Sequence, residues 1–159
     1  MKHILITLTA LLAAATTYAS DTLSRPETAI LDQTGLLSAD QNKAIQYIIS
    51  NLETKRGAKA FLLVIDSLPA GVNILEYTKG VFKKWELNTL GDGLNYIIVY
   101  SRKEHAVRIE GSDKVIKLLT KEYLQSVTTN SMMPYFRKRQ DYEALKRGME
   151  MVALKLESN

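Results

Sequence analysis

No cysteine occurs among the 159 residues. That absence excludes a thiol nucleophile, a thiolate zinc site, a lipidated cysteine and any disulfide, so the fold must rest on its core alone. Histidine is nearly absent as well, with His3 and His105 the two present. Without a G-x-S-x-G elbow, a histidine-assisted serine hydrolase has no nucleophile to activate. P-loop and dinucleotide-binding fingerprints are missing. There is no internal repeat. No apolar run reaches the roughly 20 residues that a membrane-spanning helix needs.

What is present begins with a targeting pattern. Lys2 and His3 give a positive start, residues 4–15 are apolar apart from Thr7 and Thr9, and "TTYAS" follows with small residues around Ala19. This is the three-part pattern of a secretory signal peptide. The expectation is a signal at 1–19, a mobile polar lead-in at 20–27 and a single domain at 28–157, in the periplasm or secreted. Loss of Lys2 takes the net charge from +4 to +3. So mild a charge on an exported chain argues against nucleic acid as a partner. The composition, 46% hydrophobic and 24% charged, is that of a globular chain with a core.

Periodicity then sets the order of elements. Residues 28–32 read as a short strand. Ser38 with Gln41 is a capping box, Ile45, Ile48, Ile49 and Leu52 share a helical face, and Gly57 ends that helix. Residues 60–65 form an apolar run suited to a strand covered on both faces. Asn73 caps a helix whose buried face is Ile74, Tyr77, Thr78, Val81, Phe82 and Trp85, which makes the sole tryptophan a core residue. Residues 94–100 are a second buried strand, paired as a hairpin with 106–109. Ser112 or Asp113 caps a helix carrying Val115, Ile116, Leu119 and Tyr123. Pro134 interrupts, and Tyr142, Leu145, Met149, Val152 and Leu156 mark a last helix. This order predicts an α/β fold, a three-layer α/β/α sandwich with a small mixed central sheet.

The predicted topology also sorts the acids. Asp92, in "LGDGL", precedes its strand, whereas Asp66 follows a parallel one, so the two lie at opposite sheet edges. The hairpin carries Glu110 and Asp113 back toward Asp92, with Gly91, Gly93 and Gly111 permitting close backbone approach. Carboxylate oxygens are hard ligands, and this group points to calcium or magnesium. The competing reading makes Gly91-Asp92-Gly93 a plain turn and Asp113 a helix-cap acid. The stretch "PYFRKRQDYEALKR" adds Arg137, Lys138, Arg139, Lys146 and Arg147, a surface for a partner protein or an anionic lipid, or simply a solvated helix start.

Taken together, "LDQTGLLSADQ", "AFLLVIDSL", "ILEYTKGVFKKWELNTLGDGLNYIIVY", "VRIEG" and "MMPYFRKRQDYEALKRGM" resemble the TPM domain family from about residue 30 to 156. The resemblance implies an exported or membrane-tethered α/β/α sandwich acting as an accessory factor beside an envelope or membrane protein. Weak acid phosphatase activity and divalent-ion binding are attributed to some members. It also implies a role for Asp32, in "LDQTG", beside Asp92 as a metal ligand. For Asp32 to reach the Asp92 edge, the first strand must run antiparallel to its neighbour. The family's longer glycine-rich segment is cut here to Glu110-Gly111-Ser112-Asp113, which weighs against an inherited phosphatase and favours a partner-binding accessory domain.

Overall fold

The computed structural model describes residues 23–159, so the expected signal segment lies outside the described residues. Four strands form one sheet in the order β1-β2-β3-β4, with β1 Ile30–Asp32, β2 Lys59–Ile65, β3 Asn95–Ser101 and β4 Ala106–Gly111. β1, β2 and β3 are parallel, and β4 returns antiparallel beside β3. Helices cover both faces: α1 Ala39–Arg56, α2 Ile74–Lys84, α3 Asp113–Leu119, α4 Lys121–Ser126, α5 Met133–Phe136 and α6 Asp141–Glu157. The architecture is the expected α/β/α sandwich around a mixed sheet.

Alternation along β2 and β3 divides the core. Ala60, Leu62, Val64, Tyr96, Ile98 and Tyr100 face α1 and α6, while Phe61, Leu63, Ile65, Ile97 and Val99 face α2. Both parallel connections step the same way across the sheet, yet α1 and α2 lie on opposite faces. The two crossovers therefore have opposite hands, and one departs from the right-handed rule.

Local chemistry sets the helix ends. Ser38 Oγ accepts from the Gln41 N–H while Gln41 Oε1 accepts from the Ser38 N–H, at 3.3 and 2.9 Å. Gly57 closes α1 at φ 65°, where a side chain would be strained. Trp85 ends α2, is 1% exposed, and stacks edge-on against Phe61 at 5.9 Å. Its indole N–H donates to the Leu23 carbonyl at 3.0 Å, and Arg25 Nη1 donates to the Trp85 carbonyl at 3.1 Å. The described part of the lead-in thus runs back along the domain.

The C-terminal half differs from the periodicity-based reading. The helix expected through Tyr123 breaks after Leu119, because Thr120 adopts φ 64° and then caps a new helix through its hydroxyl to the Tyr123 N–H. Pro134 does not interrupt. It sits in the first turn of α5, which continues from α4 through a π-helical segment, Val127–Met132. The π segment carries Met132 into the space left by Gly148, where an added Cβ would lie 2.6 Å from the Met132 sulfur. Among the described residues no helix is long and apolar enough to cross a membrane.

Candidate functional site

The amino end of β3 is built on the Gly-Asp-Gly turn. Gly91 and Gly93 have φ 56° and 73°, and a Cβ on Gly93 would lie 3.0 Å from the Asn88 carbonyl. The turn is held from inside by Asn95, a fully buried amide at the start of β3. Its Nδ2 donates to the Leu87 and Leu90 carbonyls at 2.8 and 2.7 Å. Ser112, the N-cap of α3, ties the next layer: its hydroxyl accepts from the Asn95 N–H at 3.2 Å and from the Val115 N–H at 3.3 Å.

The backbone brings Asp92, Glu110 and Asp113 to this one edge, and their side chains then part. Asp92 is exposed and its carboxylate lies beside Gly57, where an added Cβ would be 3.3 Å from Oδ2. Its backbone carbonyl accepts from the Lys114 ammonium. Glu110 lies opposite Ile97, so it faces the α2 layer, and it pairs with Arg108 Nη2 at 3.1 Å. Asp113 is engaged with Asn88: Oδ2 accepts from Nδ2 at 2.8 Å, and the Asp113 N–H donates to Oδ1 at 2.9 Å.

Asp32 departs from the expected set altogether. β1 is parallel to β2, so Asp32 ends at the far edge, level with Val64 and away from Asp92. Its carboxylate shapes the following loop. Oδ1 accepts from the Thr34 N–H and hydroxyl at 2.9 and 2.8 Å, and Oδ2 accepts from the Leu37 N–H at 2.8 Å. A calcium ion collects about six to eight oxygens. Among the described residues no three His, Cys, Asp or Glu side chains come together as such an ion would require. Asp32, Asp92, Glu110 and Asp113 as placed do not fit a calcium or magnesium cage.

The other end of the sheet holds cations. Asp66 follows β2, and Arg102, Lys103 and His105 lie in the β3–β4 turn. With Arg139 and Asp141 they line an open cavity of about 500 Å³. The basic stretch singled out in the sequence is thereby divided. Arg139 enters this cavity from a left-handed backbone position, φ 57°. Lys146 and Arg147 instead meet Glu150 at 3.0 and 3.9 Å, and the hydrogen bond with Glu150 raises the Lys146 pKa. Arg137 and Lys138 are exposed between α5 and α6.

Two residues escaped the sequence reading. Asn95 was legible in principle, as the one amide within "LNYIIVY". Tyr100 was not, because a tyrosine closing an apolar run reads simply as core. It is 0% exposed and stacks on Phe136 at 4.5 Å, and its hydroxyl lies against the Asp141 carboxylate. Burial, and then the nearby Asp141 carboxylate, raise its pKa, while Arg102 opposes them.

None of the curated proteins matches this chain. Solved structures do. The N-terminal domain of a protein from P. gingivalis is 19% identical with a TM-score of 0.74, over 82% of this chain and 83% of that one. The BA42 protein of the psychrophilic bacterium Bizionia argentinensis is 17% identical with a TM-score of 0.65, over 79% and 84%. The N-terminal domain of the cg2496 protein of Corynebacterium glutamicum is 16% identical with a TM-score of 0.63, over 92% and 86%. Identities this low speak to the fold alone. The TPM domain profile matches residues 30–154, from the first strand almost to the end of α6. The chain belongs to the TPM domain family.

Proposed function

We propose that this chain is an exported accessory domain of the cell envelope that binds a partner protein through the α1–α6 face. The observation that carries the reading is an apolar pair on that face. Tyr47 on α1 is 73% exposed and Leu154 on α6 is 59% exposed. Singly exposed apolar residues are ordinary, but these two line one shallow cavity of about 220 Å³ with Ile48 and Ala153. Contiguous exposed apolar surface rimmed by polar groups is where protein contacts form. Glu150 and Glu157 supply those charges here. Export rests on the signal pattern in residues 1–19. A metal-assisted phosphomonoesterase, the competing reading, requires acids to close on one ion, whereas Asp92, Glu110 and Asp113 turn apart.

The test places a photo-crosslinking residue at Tyr47, at Leu154 and, as a control on the opposite layer, at Lys83, in cells that export the chain. A single discrete adduct from the first two positions, absent from the third, is expected. The purified protein is assayed in parallel with a chromogenic phosphate ester and calcium or magnesium. Metal-dependent turnover that disappears in Asp92→Ala would sink the accessory reading.

A further inference from the structure

We infer that the outer edge of β4 pairs antiparallel with the β4 of a second copy of this chain, joining the two sheets into one. The two edges of the sheet differ. β1 is three residues long, and the Thr28 hydroxyl donates to its Ile30 carbonyl at 3.0 Å. An edge that short and partly occupied offers little to another strand. β4 runs for six residues, and among the described residues no strand lies beyond it.

Alternation fixes which backbone groups of β4 are spare. The Ser112 N–H donates to the Asn95 carbonyl at 2.8 Å, whereas the Arg102 N–H turns the other way, to Ile65 of β2, at 3.0 Å. Counting along β3 in twos from Asn95, the residues facing β4 are Ile97, Val99 and Ser101, opposite Glu110, Arg108 and Ala106. Those three residues of β4 spend their N–H and C=O groups on β3. Val107, Ile109 and Gly111 turn theirs outward, and among the described residues no backbone group of another element bonds to them. They lie in a groove of about 190 Å³, with Ile74 and Leu75 of α2 on one side and Ile116 and Leu124 on the other.

Charge and register select the occupant. An antiparallel copy centred on Ile109 sets Ile109 against the partner's Ile109 and Val107 against the partner's Gly111. Every outward-facing residue then meets another, and both N–H···O bonds of each pair can close. The same register sets Arg108 opposite the partner's Glu110, and Glu110 opposite the partner's Arg108. Within one chain Arg108 Nη2 already meets Glu110 at 3.1 Å, so the two pairs form a square of alternating charge. The nearest slips that keep the hydrogen bonds put Arg108 against the partner's Arg108, or Glu110 against the partner's Glu110. Like charges directly opposite are destabilising. The strand thus specifies its own register with itself, as a twofold contact between identical surfaces requires. The contact uses none of the residues of the α1–α6 face.

Sedimentation velocity follows the exported, purified protein from micromolar to millimolar concentration, with amide hydrogen exchange measured alongside. A dimer is expected as concentration rises, and exchange should slow with it at the Val107, Ile109 and Gly111 N–H groups. The Ala106, Arg108 and Glu110 N–H groups, bonded to β3 in either state, should not change. Val107→Pro removes an outward N–H and leaves the β3–β4 bonds in place, so it should abolish the dimer. Arg108→Glu and Glu110→Arg each gather four like charges at the seam and should each weaken dimerisation about tenfold or more. An equimolar mixture of these two variants restores opposite charges across the seam and should dimerise as the parent does, which a loss of folding could not produce. A chain that stays monomeric at millimolar concentration would overturn the pairing. So would a dimer indifferent to Val107→Pro, or a mixture that associates no better than its components. Protection of the three amides only after a periplasmic extract is added would give the edge to another protein and overturn it equally.

Discussion

The two ends of the sheet are built from opposite materials. At the amino end of β3, Gly91-Asp92-Gly93, Asn95, Ser112 and Asp113 make a closely bonded corner. Asn95 holds two carbonyls and the Ser112 hydroxyl serves two amides. At the carboxyl end, Arg102, Lys103 and Arg139 line an open cavity with Asp66 and Asp141, and none of the three forms a salt bridge among the described residues. An acidic motif drew attention to the first end, but Asp113 and Glu110 are spent on Asn88 and Arg108, and the Asp92 carboxylate lies toward Gly57. The second end carries the unpaired cations, while the first keeps one buried orphan, Asn95 Oδ1. A motif shows where chemistry is permitted, whereas the hydrogen-bond inventory shows where capacity remains.

The largest effect should come from cutting the amino corner. Asn95→Ala removes both donors to the Leu87 and Leu90 carbonyls and opens a small void beneath the turn. The expected loss is about 2–3 kcal/mol, the cost of leaving buried acceptors unpaired. Chemical denaturation with an unchanged slope would measure it. A loss below about 0.5 kcal/mol, within the range of surface substitutions, would mean that Gly91 and Gly93 hold the corner unaided.

The matching substitution at the other end should cost less. Tyr100→Phe keeps the ring stacked on Phe136 and deletes a hydroxyl whose partner is the Asp141 carboxylate. Loss of that one hydrogen bond should destabilise the protein by roughly 1 kcal/mol. A loss as large as that of Asn95→Ala would remove the contrast between the two ends.

How much of this was legible in the sequence follows from the range of each interaction. The cap at Ser38, the stop at Gly57 and the apolar alternation of β2 and β3 are local signals, and the structure repeats them. The hairpin placed Asp92, Glu110 and Asp113 at one edge correctly, since backbone direction follows from element order. Side-chain direction does not. Glu110 faces α2 because of strand register, and Asp113 turns to Asn88, a residue from another loop. The direction of β1, and with it the position of Asp32, depends on how three residues pair across the sheet. Thr120 broke a helix at a position where neither glycine nor proline announced it. The cation cavity joins residues 66, 102 and 139, and no window of sequence contains all three.

The smallest effect tests whether the carboxyl end has any closed hydrogen bonds of its own. Glu104, in the β3–β4 turn, accepts from the Ser101 hydroxyl and from the Leu68 N–H, the latter at 3.1 Å. The Ser101 bond is the main reason its carboxyl pKa lies below the ordinary 4.5. A depressed folded value means that the ionised form favours the fold. Its contribution is complete above the unfolded pKa and disappears as pH falls through the folded one. The carboxyl carbon of Glu104 should therefore titrate below 4.5, and Ser101→Ala should move that midpoint upward. Glu104→Gln should be slightly less stable than the parent at neutral pH, and the two should converge in acid. Since the side chain faces water, solvent screening keeps the difference small. A midpoint in Ser101→Ala equal to that of the parent would show that the turn, like the cations beside it, gains nothing from its own hydrogen bonds.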